Sequence, residues 1–122
     1  MTRPSPGTDR GSEPVPDLAA LSQADRVEVR TNLAALLNEI DDPPTLVRVH
    51  RAVTGITGEW VKPPGGVPVA PIRLEFYRGD DLLAAIGVAP EVVTLHQHGD
   101  FWSQPSTPER RSELLALAGV AS

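Results

Sequence analysis

The chain has 122 residues, a formal net charge of −5 and no cysteine. The length suits one domain with a true hydrophobic core. The negative balance argues against a nucleic-acid or anionic-membrane partner, since both need a basic face, and the missing thiols exclude disulfides, cysteine nucleophiles and zinc–thiolate centres.

Residues 1–16 hold four prolines, two glycines and two serines, with Val15 as the one apolar side chain after Met1. Such a segment buries too little to offset the entropy of ordering, so a disordered tail is expected, followed by a single domain over residues 17–122. The tail has no apolar stretch of the secretory kind. The longest apolar run, Leu82 to Ala89, is far short of a membrane span. Ten of the eleven basic residues are arginine. That bias, with the abundant Ala, Val, Pro and Gly, suits a bacterial source, and a cytoplasmic location is expected.

Ser22 and Asp25 stand in capping-box spacing. Val29, Leu33, Leu36, Leu37 and Ile40 then recur at threes and fours, which predicts an N-terminal helix of about five turns, ended by Asp41-Asp42-Pro43-Pro44. Residues 46–54 fit two patterns. Val47, Val49 and Val53 suit a half-buried strand, while Leu46, Val49, His50 and Val53 suit a helix capped by Asp42 and stopped at Gly55. The β-branched content favours the strand, with Gly55 and Gly58 marking a turn and Glu59 to Lys62 the return strand. Pro63 to Pro71 reads as a loop.

From Ile72 the alternation is clean. Ile72, Leu74 and Phe76 face one way and Arg73, Glu75 and Tyr77 the other. Gly79-Asp80 supplies a turn, and the next strand places Leu82, Ala84, Ile86 and Val88 on one face. Pro90-Glu91 turns the chain into Val92–Gln97, and a fourth strand contains Phe101 to Gln104. Thr107, Pro108 and Glu109 open a C-terminal helix with a stripe of Leu114, Leu115 and Ala118, closed by Gly119. The predicted fold is α+β, an antiparallel β-meander of five or six strands with an N-terminal and a C-terminal helix packed on one face.

Candidate chemistry is sparse. His96, His98 and Asp100 have a spacing that could bind an ion, because residues two apart on a strand share a face with Cα atoms about 6.5 to 7 Å apart. The string H-x-H-x-D resembles the loop of metallo-β-lactamase-type hydrolases, but the residue that follows Asp100 is Phe101 rather than histidine, and the chain is too short for that fold. The competing reading puts His98-Gly99-Asp100 in a tight turn, where the two imidazoles no longer share a face. Arg78-Gly79-Asp80 spells an adhesion tripeptide that the hairpin turn itself explains. No phosphate-cradling glycine loop and no G-x-S-x-G elbow is present.

The turn reading is preferred, and no cofactor is expected. Arg73, Tyr77 and Trp102 would form an aromatic–arginine surface if Trp102 faced outward. The expected function is a small non-enzymatic, inhibitor-like interaction module that binds another protein, or its own copy, through a sheet face or edge. The alternative is a metal- or small-ligand-binding enzyme built on His96, His98 and Asp100, with His50 as a further donor.

Overall fold

The computed structural model describes residues 16–62 and 69–120. The expected tail therefore lies outside the described residues except for Pro16, as do positions 63–68 of the proline-rich loop. Six antiparallel strands form one sheet in the order β2-β1-β3-β4-β5-β6. They are β1 (Arg26–Thr31), β2 (Leu36–Ile40), β3 (Ile72–Arg78), β4 (Asp81–Val88), β5 (Val92–Gln97) and β6 (Asp100–Pro105). A 3-10 helix, Leu18–Gln23, precedes β1; α1 (Pro43–Thr54) joins β2 to β3, and α2 (Pro108–Leu117) follows β6. The α+β class and the antiparallel sheet are as expected. One connection departs from a plain meander, because β3 returns beside β1 rather than beside β2.

The predicted N-terminal helix over residues 22–40 is not formed, and a β-hairpin stands in its place. Arg26, Glu28 and Arg30 alternate with Val27 and Val29, and both valines are 0% exposed. That period of two outweighs the threes and fours, of whose members only Val29 and Ile40 are buried. Leu33 is 86% exposed in the hairpin loop, and Leu36 and Leu37 are also exposed. Thr31 closes the loop: its Oγ1 accepts from the amides of Leu33 and Ala35, each at 3.2 Å. Ala34 takes the left-handed conformation, with φ of 69°.

The residues read as a strand at 46–54 are helix α1. Asp42 is its cap, accepting from the Thr45 amide at 3.0 Å. Pro43 and Pro44 do not stop a helix here. They open one, because the first helical turn has no use for their missing amide hydrogens. Val49 and Val53 are buried against the sheet, so tertiary burial overrides the β-branched preference. The expected return strand reduces to a single bridge, Val61 with Ser103, beside β6.

Both helices and the 3-10 helix cover one sheet face. The core joins Val27, Val29, Leu74, Phe76, Ile86, Val93 and Leu95 from the strands to Leu21, Val49, Val53, Leu114 and Leu115 above them. Thr107 caps α2 by accepting from the Arg110 amide at 3.1 Å. The Asn38 side chain donates to the Ala118 carbonyl at 2.9 Å, tying the end of α2 to the edge strand. The buried Gln97 side chain holds the start of the domain. Its Oε1 accepts from the Asp17 amide at 2.8 Å, and its Nε2 donates to the Asp17 carbonyl at 2.9 Å.

Two side chains lie on faces opposite to those expected. A register shift at Phe76/Tyr77 sets Tyr77 opposite Leu82, so Leu82 joins the uncovered face instead of the Ala84–Ile86 face. Trp102 pairs with Leu95 and is 3% exposed on the helix side. Phe101 takes the uncovered side, opposite His96. Replacing Trp102 with alanine is expected to lower unfolding free energy by about 3–5 kcal/mol. Phe101→Ala, at a half-buried position, should cost clearly less, and urea denaturation of both variants checks the assignment.

Candidate functional site

The helix-free face divides into two halves. Over β1 and β3 it is a lattice of ion pairs. Glu28 lies between Arg26, at 3.1 Å, and Arg30, at 2.6 Å. Glu75 receives Arg73 in a short charge-assisted contact and Arg30 at 3.4 Å. Arg26 also approaches Glu39 at 3.4 Å. The Tyr77 hydroxyl donates to Glu75 at 3.1 Å, and the Arg26 guanidinium lies 4.7 Å from the Tyr77 ring centroid. Alternation produces this arrangement, because residues two apart on a strand share a face: Arg26, Glu28 and Arg30 pair along β1 and Arg73 with Glu75 along β3, and the diagonal Arg30–Glu75 contact offsets the like charges that stand directly opposite, Glu28 with Glu75 and Arg30 with Arg73.

Hydrogen bonding from Arg30, helped by the charges of Arg30 and Arg26, holds the Glu28 carboxyl below its ordinary value despite partial desolvation. Desolvation, together with the hydrogen bond to Glu75 and that residue's charge, raises the Tyr77 phenol.

The other half, over β4 to β6, is a groove of about 430 Å³. Ala85 and Gly87 make its floor, and Val69 and Leu82 stand exposed at its margins. Its aromatic wall is a stacked pair, with the His96 and Phe101 rings 4.1 Å apart and 7° from parallel. Arg73 adjoins the groove, and its Nε is buried without a hydrogen-bond partner among the described residues. Gly87 permits a close approach: an added Cβ would lie 2.3 Å from Thr94 Oγ1 and 2.8 Å from Ala70 Cβ.

The structure separates the proposed metal ligands. Gln97 pairs with Asp100, so His98 and Gly99 form a two-residue turn. Their φ values of 55° and 81° are the positive pair that such a tight hairpin requires. His96 faces the groove. Asp100 falls on the face of Gln97 and Trp102, where it pairs with Lys62 at 2.5 Å. His98 is exposed in the turn. The three therefore do not converge, and no cluster of three ion-binding side chains occurs among the described residues.

Arg73 and Tyr77 do share a face, but Trp102 lies across the sheet from them, so the expected aromatic–arginine surface does not contain it. Strand alternation showed that one of Phe101 and Trp102 must point each way. Assigning the faces required the pairing register. The His96–Phe101 stack, which sequence reasoning missed, follows from that same register.

No described helix is long and apolar enough to cross a membrane. Comparison of the chain with protein-family models, curated proteins and solved structures found no match.

Two measurements test the two halves. Glu28 has a depressed carboxyl in the folded state, so its contribution is present above the ordinary value of 4.5 and is lost as pH falls through the folded value. Glu28→Gln should therefore flatten the decline in urea midpoint on acidification below about pH 4.5. Gly87→Ala should lower stability by about 1–3 kcal/mol. Adding Thr94→Ala should restore part of that loss, read as the melting temperature of each variant.

Proposed function

We propose that this chain is a small cytoplasmic interaction module that uses the groove half of its uncovered sheet face to receive a segment of another protein. The observation that carries the reading is the contrast within that face. One half saturates its own charges, arginine against glutamate. The other leaves Leu82 and Val69 exposed, at 47% and 74%, around an apolar floor and an aromatic wall. An apolar centre with an aromatic anchor and an arginine at its rim is the composition from which protein-binding hot spots are built. The partner segment would place an apolar side chain over Ala85 and Gly87 and an acceptor group near Arg73. Binding and not catalysis is the reading, supported by the divergence of His96, His98 and Asp100, which do not meet at a common point.

A photo-crosslinking residue at Leu82, introduced in the native host, is expected to give a discrete protein adduct. Val69→Asp, at an exposed position where folding is not at stake, should suppress that adduct, while the same crosslinker at Ser112 on α2 should give none. An adduct that survives Val69→Asp, or that forms equally at Ser112, overturns the proposal, as does the absence of any adduct at Leu82.

A further inference from the structure

The hairpin of β1 and β2 ends in an apolar projection. Leu33 is 86% exposed at its tip, and the loop beneath it is fixed. Besides the two bonds to Thr31 Oγ1, Arg30 Nη1 donates to the Ala34 carbonyl at 2.8 Å, and Ala34 holds a left-handed conformation that favours glycine. A leucine kept in water by a rigid loop loses little freedom when a partner buries it. Leu36 stands opposite Arg30 on the uncovered face and is exposed too. Asn32, the chain neighbour of Leu33, lines the groove. One face thus carries both a projection and a hollow.

The charge on that face suits its own copy. The chain carries −5, but its strands present on the uncovered face three arginines, Arg26, Arg30 and Arg73, against three glutamates, Glu28, Glu39 and Glu75. The strand face is formally neutral, and the negative excess lies on the rest of the molecule. Two copies that meet through it face no net repulsion, and arginine of one can meet glutamate of the other. The sheet order β2-β1-β3-β4-β5-β6 puts the hairpin at one side and the groove strands at the other. Thr31 pairs with Ile72, and Ile72 with Val88, so the tip stands level with the Gly87 end of the groove. A two-fold axis along the strands, over the boundary of β3 and β4, exchanges the two sides and keeps that level. It lays each hairpin over the other copy's groove.

We propose that two copies of this chain pack through their uncovered faces, each placing Leu33 at the open mouth of the other's groove, where Val69 is exposed and Phe101 half-buried. The contact is isologous, so both insertions form together. The inference rests on the reading of the groove as a receptor for a protein segment, and it names that segment as the hairpin tip of a second copy.

Sedimentation velocity of the purified full chain over a concentration series is expected to show a monomer–dimer equilibrium. Leu33→Asp, in an exposed loop, should keep the circular dichroism spectrum and weaken dimerisation about tenfold. Val47→Asp, exposed on α1, should leave the equilibrium unchanged. Because the chain has no cysteine, the register is read by disulfide trapping. Mild oxidation of a mixture of the Leu33→Cys and Val69→Cys variants should give the mixed disulfide in clear excess over either self-disulfide. A dimer indifferent to Leu33→Asp, or cysteines that join like to like, overturns the proposal. A chain that stays monomeric yet gives the Leu82 adduct in the host overturns this inference alone and leaves the groove to a different protein. Absence of that adduct overturns both.

Discussion

β1 carries two valines wholly removed from solvent and pairs along both of its edges, with β2 on one side and β3 on the other. Its opposite face carries Arg26, Glu28 and Arg30. One short segment therefore supplies apolar floor to the helix layer and charged lattice to the uncovered layer. Burying Val27 and Val29 contributes about 1.5–3 kcal/mol for each side chain, and the surrounding elements are arranged to keep that burial. α1 lies over them, the 3-10 helix closes one side, and β2 fills the edge that would otherwise bare the strand.

The same two-sidedness gives the molecule two concave regions of different character. The uncovered groove is shallow and bordered by exposed aliphatic side chains, a shape that admits a piece of polypeptide. A cleft on the helix side, between the 3-10 helix and α1, is lined mainly by apolar side chains, with Asp25 and Asp41 beside them. Phe76 lines that cleft, and its chain neighbours Glu75 and Tyr77 belong to the ion-pair lattice on the other side. The two surfaces are thus separated by the thickness of one strand.

How far the fold could be read from the chain depended on whether local pattern and tertiary burial agreed. From Ile72 onward they do. Alternation, the Gly79-Asp80 and His98-Gly99 turns, and the Thr107–Pro108 helix start all point the same way, and four strands and α2 stand where expected. Before residue 72 they disagree. Leu33, Leu36 and Leu37 imitate a helical stripe although they are exposed in a hairpin, and the double proline reads as an ending when it is a beginning. Valines at 47, 49 and 53 carry a strand preference into a helix whose inner face buries Val49 and Val53 and leaves Val47 exposed. Of the candidate sites, the turn at His98 was legible because positive φ restricts which residues can form it. The placement of Trp102 and the stacking of His96 on Phe101 were not, because both are set by register.

The return of β3 alongside β1 has a kinetic consequence. The four strands from Ile72 to Pro105 are joined by short links and can zip up from local contacts, whereas Arg26 meets Tyr77 only after the whole α1 connection has folded back. Docking of the N-terminal hairpin is therefore expected to be the slow closing event. Until it arrives, β3 offers its free backbone edge to any passing strand, and the nascent sheet is at its most vulnerable to aggregation.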